Sequence, residues 1–99
     1  MNIFDFKEEK RENELIDILC REKNLRIERI LSYGQTSDWM IQDEDEWVLV
    51  IKGKGILEFE DFSLELNPGE SFFIKKGQKH RVSYTSKEET TLWLCVFVK

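Results

Sequence analysis

The feature that most constrains this chain is a series of short apolar runs from Leu25 onward, each closed off by turn chemistry. "EWVLVIK" is β-branched and apolar, "ILEFE" and "SLEL" alternate, and "SFFI" and "TTLWLCVFV" continue the theme. Runs of this length and composition suit strands, whose successive side chains point to opposite faces. The stretches between them, "SYGQTS", "KGKG", "NPGE", "KKGQ" and "SKEE", are built from residues that reverse a chain. In "NPG" the ring of Pro68 fixes φ, and Gly69 accepts the positive φ of a tight turn. About eight short strands with tight turns and almost no intervening helix predict an all-β fold, an antiparallel sandwich or barrel.

The first 24 residues read differently. "RENELIDILCREKN" sets Leu15, Ile18 and Leu19 at helical spacing among charged residues. That pattern predicts a short N-terminal helix over residues 11–21, its apolar stripe packed on the core, preceded by an anchor of Ile3, Phe4 and Phe6. The expected organisation is one domain, with anchor and helix over 1–24 and barrel over 25–99. A chain of 99 residues buries one modest core and leaves little for a second module.

Composition excludes several classes. Apolar residues at 40% and charged residues at 35% describe a soluble globular protein, and no apolar run is long enough to span a bilayer. Asp5 stands where a signal peptide would have its hydrophobic centre, so the expected location is the cytoplasm, with no membrane partner. A formal net charge of -5 argues against nucleic acid, and the basic "KKGQKHR" reads as a solvated loop on a mixed surface. Cys20 and Cys95 lie in apolar surroundings without zinc spacing, as small hydrophobes of a reducing compartment.

The single histidine, His80, belongs to the second of two spaced patterns. One runs from Gly34 through Met40, Gln42 and Glu46 to Gly53; the other runs from Gly69 through Gly77 and His80 to Tyr84. These spacings resemble the two motifs of the cupin superfamily: Gly, five residues, His-x-His, three or four residues, Glu, six residues, Gly; then Gly, five residues, Pro-x-Gly, two residues, His, three residues, Asn. Gly34, Glu46, Gly53, Gly69, Gly77 and His80 agree in identity as well as spacing. Met40 and Gln42 stand at the two histidine positions, Lys75 replaces Pro and Tyr84 replaces Asn. The stretches "DEDEWVLVIKGKGILEFED" and "LNPGESFFIKKGQKHRVSYTS" are also similar to small single-domain cupins, which carry a short N-terminal helix and mostly lack an assigned activity.

The resemblance implies a double-stranded β-helix, a jelly-roll barrel with a ligand cavity at one open end. It brings Met40, Gln42, Glu46 and His80 to the family's metal position and adds Tyr84 to a ligand pocket. With one histidine, no two-His-one-carboxylate triad forms within a subunit, and a thioether suits Cu(I) better than Fe(II) or Mn(II). Gln42, Glu46 and His80 remain as a reduced set for Zn, Mn, Fe or Ni, so no cofactor is firmly expected. Without metal, Glu46 and His80 are the catalytic candidates as an acid–base pair, or else a buried pair that satisfies itself. Three functions follow: a metal-free cavity binding a small molecule, a metal-dependent isomerase or dioxygenase with a reduced ligand set, and a purely structural or interaction barrel. The first is the expected one.

Period two carries Val48 and Val50 inward with Glu46 and leaves Trp47 and Leu49 outward, with Trp93 and Phe97 of the last strand posing the same problem. That outward set needs cover from the helix or a second subunit. Cupins commonly dimerise through such surfaces, so a homodimer is expected. Trp39 and Tyr84 fit the pocket wall or the core, and taken singly each is expected in the core.

Overall fold

A computed structural model describes all 99 residues. Its strands are β1 (Leu15–Arg21), β2 (Leu25–Ser32), β3 (Asp45–Lys52), β4 (Gly55–Phe59), β5 (Ser63–Leu66), β6 (Ser71–Ile74), β7 (His80–Thr85) and β8 (Thr91–Val98). They form a five-stranded sheet, β1-β2-β8-β3-β6, facing a three-stranded sheet, β5-β4-β7. Every pairing is antiparallel, which gives the all-β jelly-roll barrel anticipated from the sequence. No helix is long and apolar enough to cross a membrane.

The core fills the space between the sheets. Val48, Val50, Ile74, Trp93, Cys95 and Phe97 come from one sheet and Leu57, Phe59 and Leu66 from the other. Alternation along β3 places these residues as expected: Val48 and Val50 are buried, whereas Trp47 is 37% exposed. The expected turn after β5 is also present, with Gly69 at φ 89° and Glu70 N donating to Asn67 O at 2.9 Å. Gly55 packs directly against the opposite sheet, and any Cβ there would run into the Trp93 ring.

Three expectations are corrected. The helix over 11–21 does not form; Leu15–Arg21 is β1, antiparallel to β2 from Leu15↔Leu31 to Arg21↔Arg26. "LIDILC" fits either period, since Ile16, Ile18 and Cys20 alternate as well as Leu15, Ile18 and Leu19 fit a helix. The free edge of β2 decides it by offering hydrogen-bond partners to an extended chain. The stripe is accordingly no core face, because Leu15 and Ile18 are 44% and 49% exposed. Second, Trp93 and Phe97 point inward. They sit opposite Val50 and Glu46 of β3, and directly opposed residues share a face. Third, Trp39 is not core but 38% exposed, flanked by Lys79 Nζ at 5.5 Å and the Arg81 guanidinium at 4.7 Å from its ring centre.

In place of a helix, an extended N-terminal segment crosses the outer face of the large sheet. Buried Arg29 holds it, donating to the carbonyls of Ile3 at 3.2 Å and Asp5 at 3.0 Å while pairing with Asp17 Oδ2 at 2.6 Å. Glu8 accepts from Thr90 N at 2.7 Å and Lys52 Nζ at 3.0 Å. Leu31 and Leu92 on that face are fully buried.

Candidate functional site

Between the sheets lies a cavity of about 280 Å³, walled on one side by β2, β3 and β8 and on the other by β4 and β7. The segment from Gln35 to Gln42 closes a further side and is stitched to β7. Met40 and His80 exchange both backbone hydrogen bonds, at 2.8 and 3.0 Å. Ser37 N donates to Val82 O at 2.9 Å, and Val82 N donates to Ser37 Oγ at 2.8 Å. Gly77 N donates to Gln42 O at 2.9 Å, holding the β6–β7 turn against the same segment.

Met40, Gln42, Glu46 and His80 all line this cavity. Tyr84, expected with them, does not. A β-bulge between Ile56 and Leu57 of β4, opposite Val82–Tyr84, shifts the register by one residue. Val82 therefore keeps the inward parity of His80, while Tyr84 falls opposite outward-facing Ile56. Lys75 and Lys79, beside His80 in sequence, are exposed and outside the lining.

His80 is 3% exposed, its ring 6.0 Å from that of Phe59. Its Nδ1 lies 2.8 Å from Gln78 O. A carbonyl only accepts, so Nδ1 carries a proton and donates it to Gln78 O. Nε2 makes no hydrogen bond within the protein, although His80 belongs to the cavity wall.

Glu46 is 7% exposed. Burial raises its carboxyl above the usual carboxylate range. Hydrogen bonding with the Cys95 thiol, the neighbouring imidazole of His80 and hydrogen bonding with Gln42 pull it back, and the charge of Glu28 reinforces the rise. Burial likewise pushes the Cys95 thiol well above its ordinary value, with Glu46 adding to the effect, so it stays protonated and inert. Gln42 donates its amide toward Glu46, and its Oε1 is left buried without a partner.

The sequence reading missed three charged residues of the wall: Glu14, Arg26 and Glu28. Arg26 and Glu28 oppose Phe97 and Cys95, so β2 turns its polar alternate residues inward. The signal was present in "LRIERILS", where Arg26, Glu28 and Ser32 alternate with Leu25, Ile27 and Leu31. Burial and the charge of Glu28 raise the Glu14 carboxyl, while hydrogen bonding with Ser32 lowers it.

These residues do not fit the divalent metal implied by the family motif. The donors at that position are a thioether, an amide, one carboxylate and one imidazole. No three His, Cys, Asp or Glu side chains converge as a metal-binding group. An ion of the Mn, Fe, Ni or Zn kind needs more imidazole and carboxylate than this.

A family model described as a cupin domain matches residues 28–97. The chain is similar to a solved Ralstonia eutropha JMP134 protein, provisionally named a mannose-6-phosphate isomerase, with 33% identity, 100% of this chain and 96% of that one covered, and a TM-score of 0.95. A cupin superfamily protein of Desulfitobacterium hafniense DCB-2 is 15% identical over 91% of this chain and 81% of its own, with a TM-score of 0.80. A Streptococcus pyogenes protein of unknown function is 19% identical over 91% and 77%, with a TM-score of 0.76. No curated protein matches. Motif spacing, two facing antiparallel sheets and these likenesses agree, and the chain belongs to the cupin domain family.

Proposed function

We propose that this cupin binds a small molecule in its barrel cavity without a resident metal. The observation that carries this is a cavity whose wall holds a buried polar atom left without a protein partner, Gln42 Oε1, beside the ring of His80. A buried acceptor without a donor costs about 1–3 kcal/mol, so such groups mark where a ligand supplies what the protein lacks. A self-filled structural barrel would have no reason to keep them. Glu46 and His80 touch the ligand in this reading, and Met40 and Gln42 shape its seat.

A second reading takes the name of the Ralstonia protein and makes the cavity a sugar-phosphate isomerase site. Glu46, a carboxyl raised by burial beside an imidazole, is chemistry that favours proton transfer. The three carboxylates of the wall oppose a phosphate. We also assign the protein to a reducing cytoplasm, in keeping with its two unpaired cysteines, and to a homodimer.

A thermal-shift screen of small metabolites, paired with elemental analysis, tests the cavity reading. Ligands that raise Tm for the native protein but not for Met40→Trp, which fills the cavity, are the expected result. Stoichiometric metal lost in His80→Ala would sink the metal-free reading.

A further inference from the structure

We infer that the cavity is a seat for a small primary ammonium ligand, a short amine with an aliphatic body. This rests on the cavity reading above and names its ligand class. Three independent features of the wall lead to it.

The first is charge. Glu14, Glu28 and Glu46 line the cavity, and Arg26 is the only basic chain of Lys or Arg type among the lining residues. Arg26 is already engaged: its Nε lies 2.6 Å from Glu28 Oε2, and its two terminal nitrogens lie 3.0 and 3.1 Å from the oxygens of Glu44. Its guanidinium also stacks 4.2 Å from the ring centre of Phe97. No cation is therefore free to meet an anionic ligand, while negative charge is in excess. In a partly desolvated space this excess attracts a cation more strongly than it would in bulk water. Burial raises the carboxyls of Glu14 and Glu46, and the charge of Glu28 adds to the rise.

The second feature is hydrogen-bond sense. The wall presents acceptors that no protein group satisfies. Glu46 is buried against the cavity and has no ion-pair partner. Gln42 Oε1 is buried and unpartnered. An ammonium group has three donors and no acceptor. The wall offers it the Glu46 carboxylate and Gln42 Oε1. An alcohol brings a single donor and no charge.

The third feature is shape. Half of the lining is apolar, with Leu57, Ile74, Val82 and Trp93 on hand to cover a carbon chain. At about 280 Å³ the space suits a compact ligand and falls just below the usual range for drug-sized ones.

The test titrates four probes into isotopically labelled protein at neutral pH, followed by amide chemical shifts: butylammonium, 1-butanol, butyrate and mannose 6-phosphate. The first three share size and differ in charge and donor count. Saturable shifts at Gln42, Glu46 and His80 with butylammonium, at least tenfold tighter than with 1-butanol, are expected. Glu46→Gln, which removes a buried charge and keeps its shape, should weaken that affinity tenfold or more. Gln42→Leu should weaken it less. Tighter binding of the alcohol or either anion would overturn the ammonium assignment and leave the ligand cavity standing. Amine binding undiminished in Glu46→Gln would overturn it too. Silence from all four probes would overturn both this inference and the cavity reading.

Discussion

Glu46 concentrates the conflict of the site in one side chain: a carboxyl 93% removed from water by its 7% exposure, with no cation pinned to it. Burial makes it hold its proton to higher pH in the fold than in the unfolded chain. More protons are then bound by the folded state, so the group's stabilisation is full below the ordinary carboxylate range and is lost as pH rises through the raised value. Glu14 acts with the same sign. Glu46→Gln cannot ionise, so it removes that loss. The variant should melt a few degrees above the native protein at neutral pH, and this advantage should shrink on acidification. Denaturation at a series of pH values checks it, and an advantage that grows toward acid pH would refute the sign.

Among the elements, the N-terminal segment shows most clearly where sequence and structure part. Its hold on the sheet depends on Arg29, a buried guanidinium shared by Asp17 and two carbonyls. Arg29→Ala strands those acceptors and should cost about 3 kcal/mol. Limited proteolysis should then cut within residues 1–13 while the barrel stays intact; uniform resistance would deny the segment its dependence on Arg29. β3 was legible because "EWVLVIK" alternates with the polar Glu46 in phase, and the turn at Gly69 because Pro and Gly each have one backbone use there. β1 was not, because six apolar-rich residues fit both periods and the edge of β2, not propensity, chose. The site divides the same way. Motif spacing carried Met40, Gln42, Glu46 and His80 to one cavity, since turns of fixed length conserve register. Tyr84 was lost to a one-residue bulge that leaves no mark in composition. Arg26 and Glu28 were missed because polar residues of a strand ordinarily face water.

At the scale of the molecule, the large sheet leaves part of its outer face bare. Phe73, Trp47, Val96 and Ile27 form one row across β6, β3, β8 and β2, each directly opposite the next. Phe73 is 50% and Trp47 37% exposed, with Val98 at 41% nearby. A second copy of the chain would cover this row, which is the basis for the proposed homodimer. Light scattering should give the mass of two chains for the native protein and of one for Phe73→Glu. A native monomer at micromolar concentration would rule the dimer out. Because Phe73 lies on the side of the sheet opposite the cavity, the variant should keep its ligand affinity.

The three tryptophans occupy three different environments, and this has a practical consequence. Trp39 and Trp47 meet solvent, while Trp93 is 4% exposed, lines the cavity and donates its indole N–H to Ser32 Oγ at 3.2 Å. A soluble quencher such as iodide darkens the first two and leaves the third. What still glows is an emission from inside the barrel, so occupancy of the cavity can be watched in unlabelled protein through a chromophore the chain already carries.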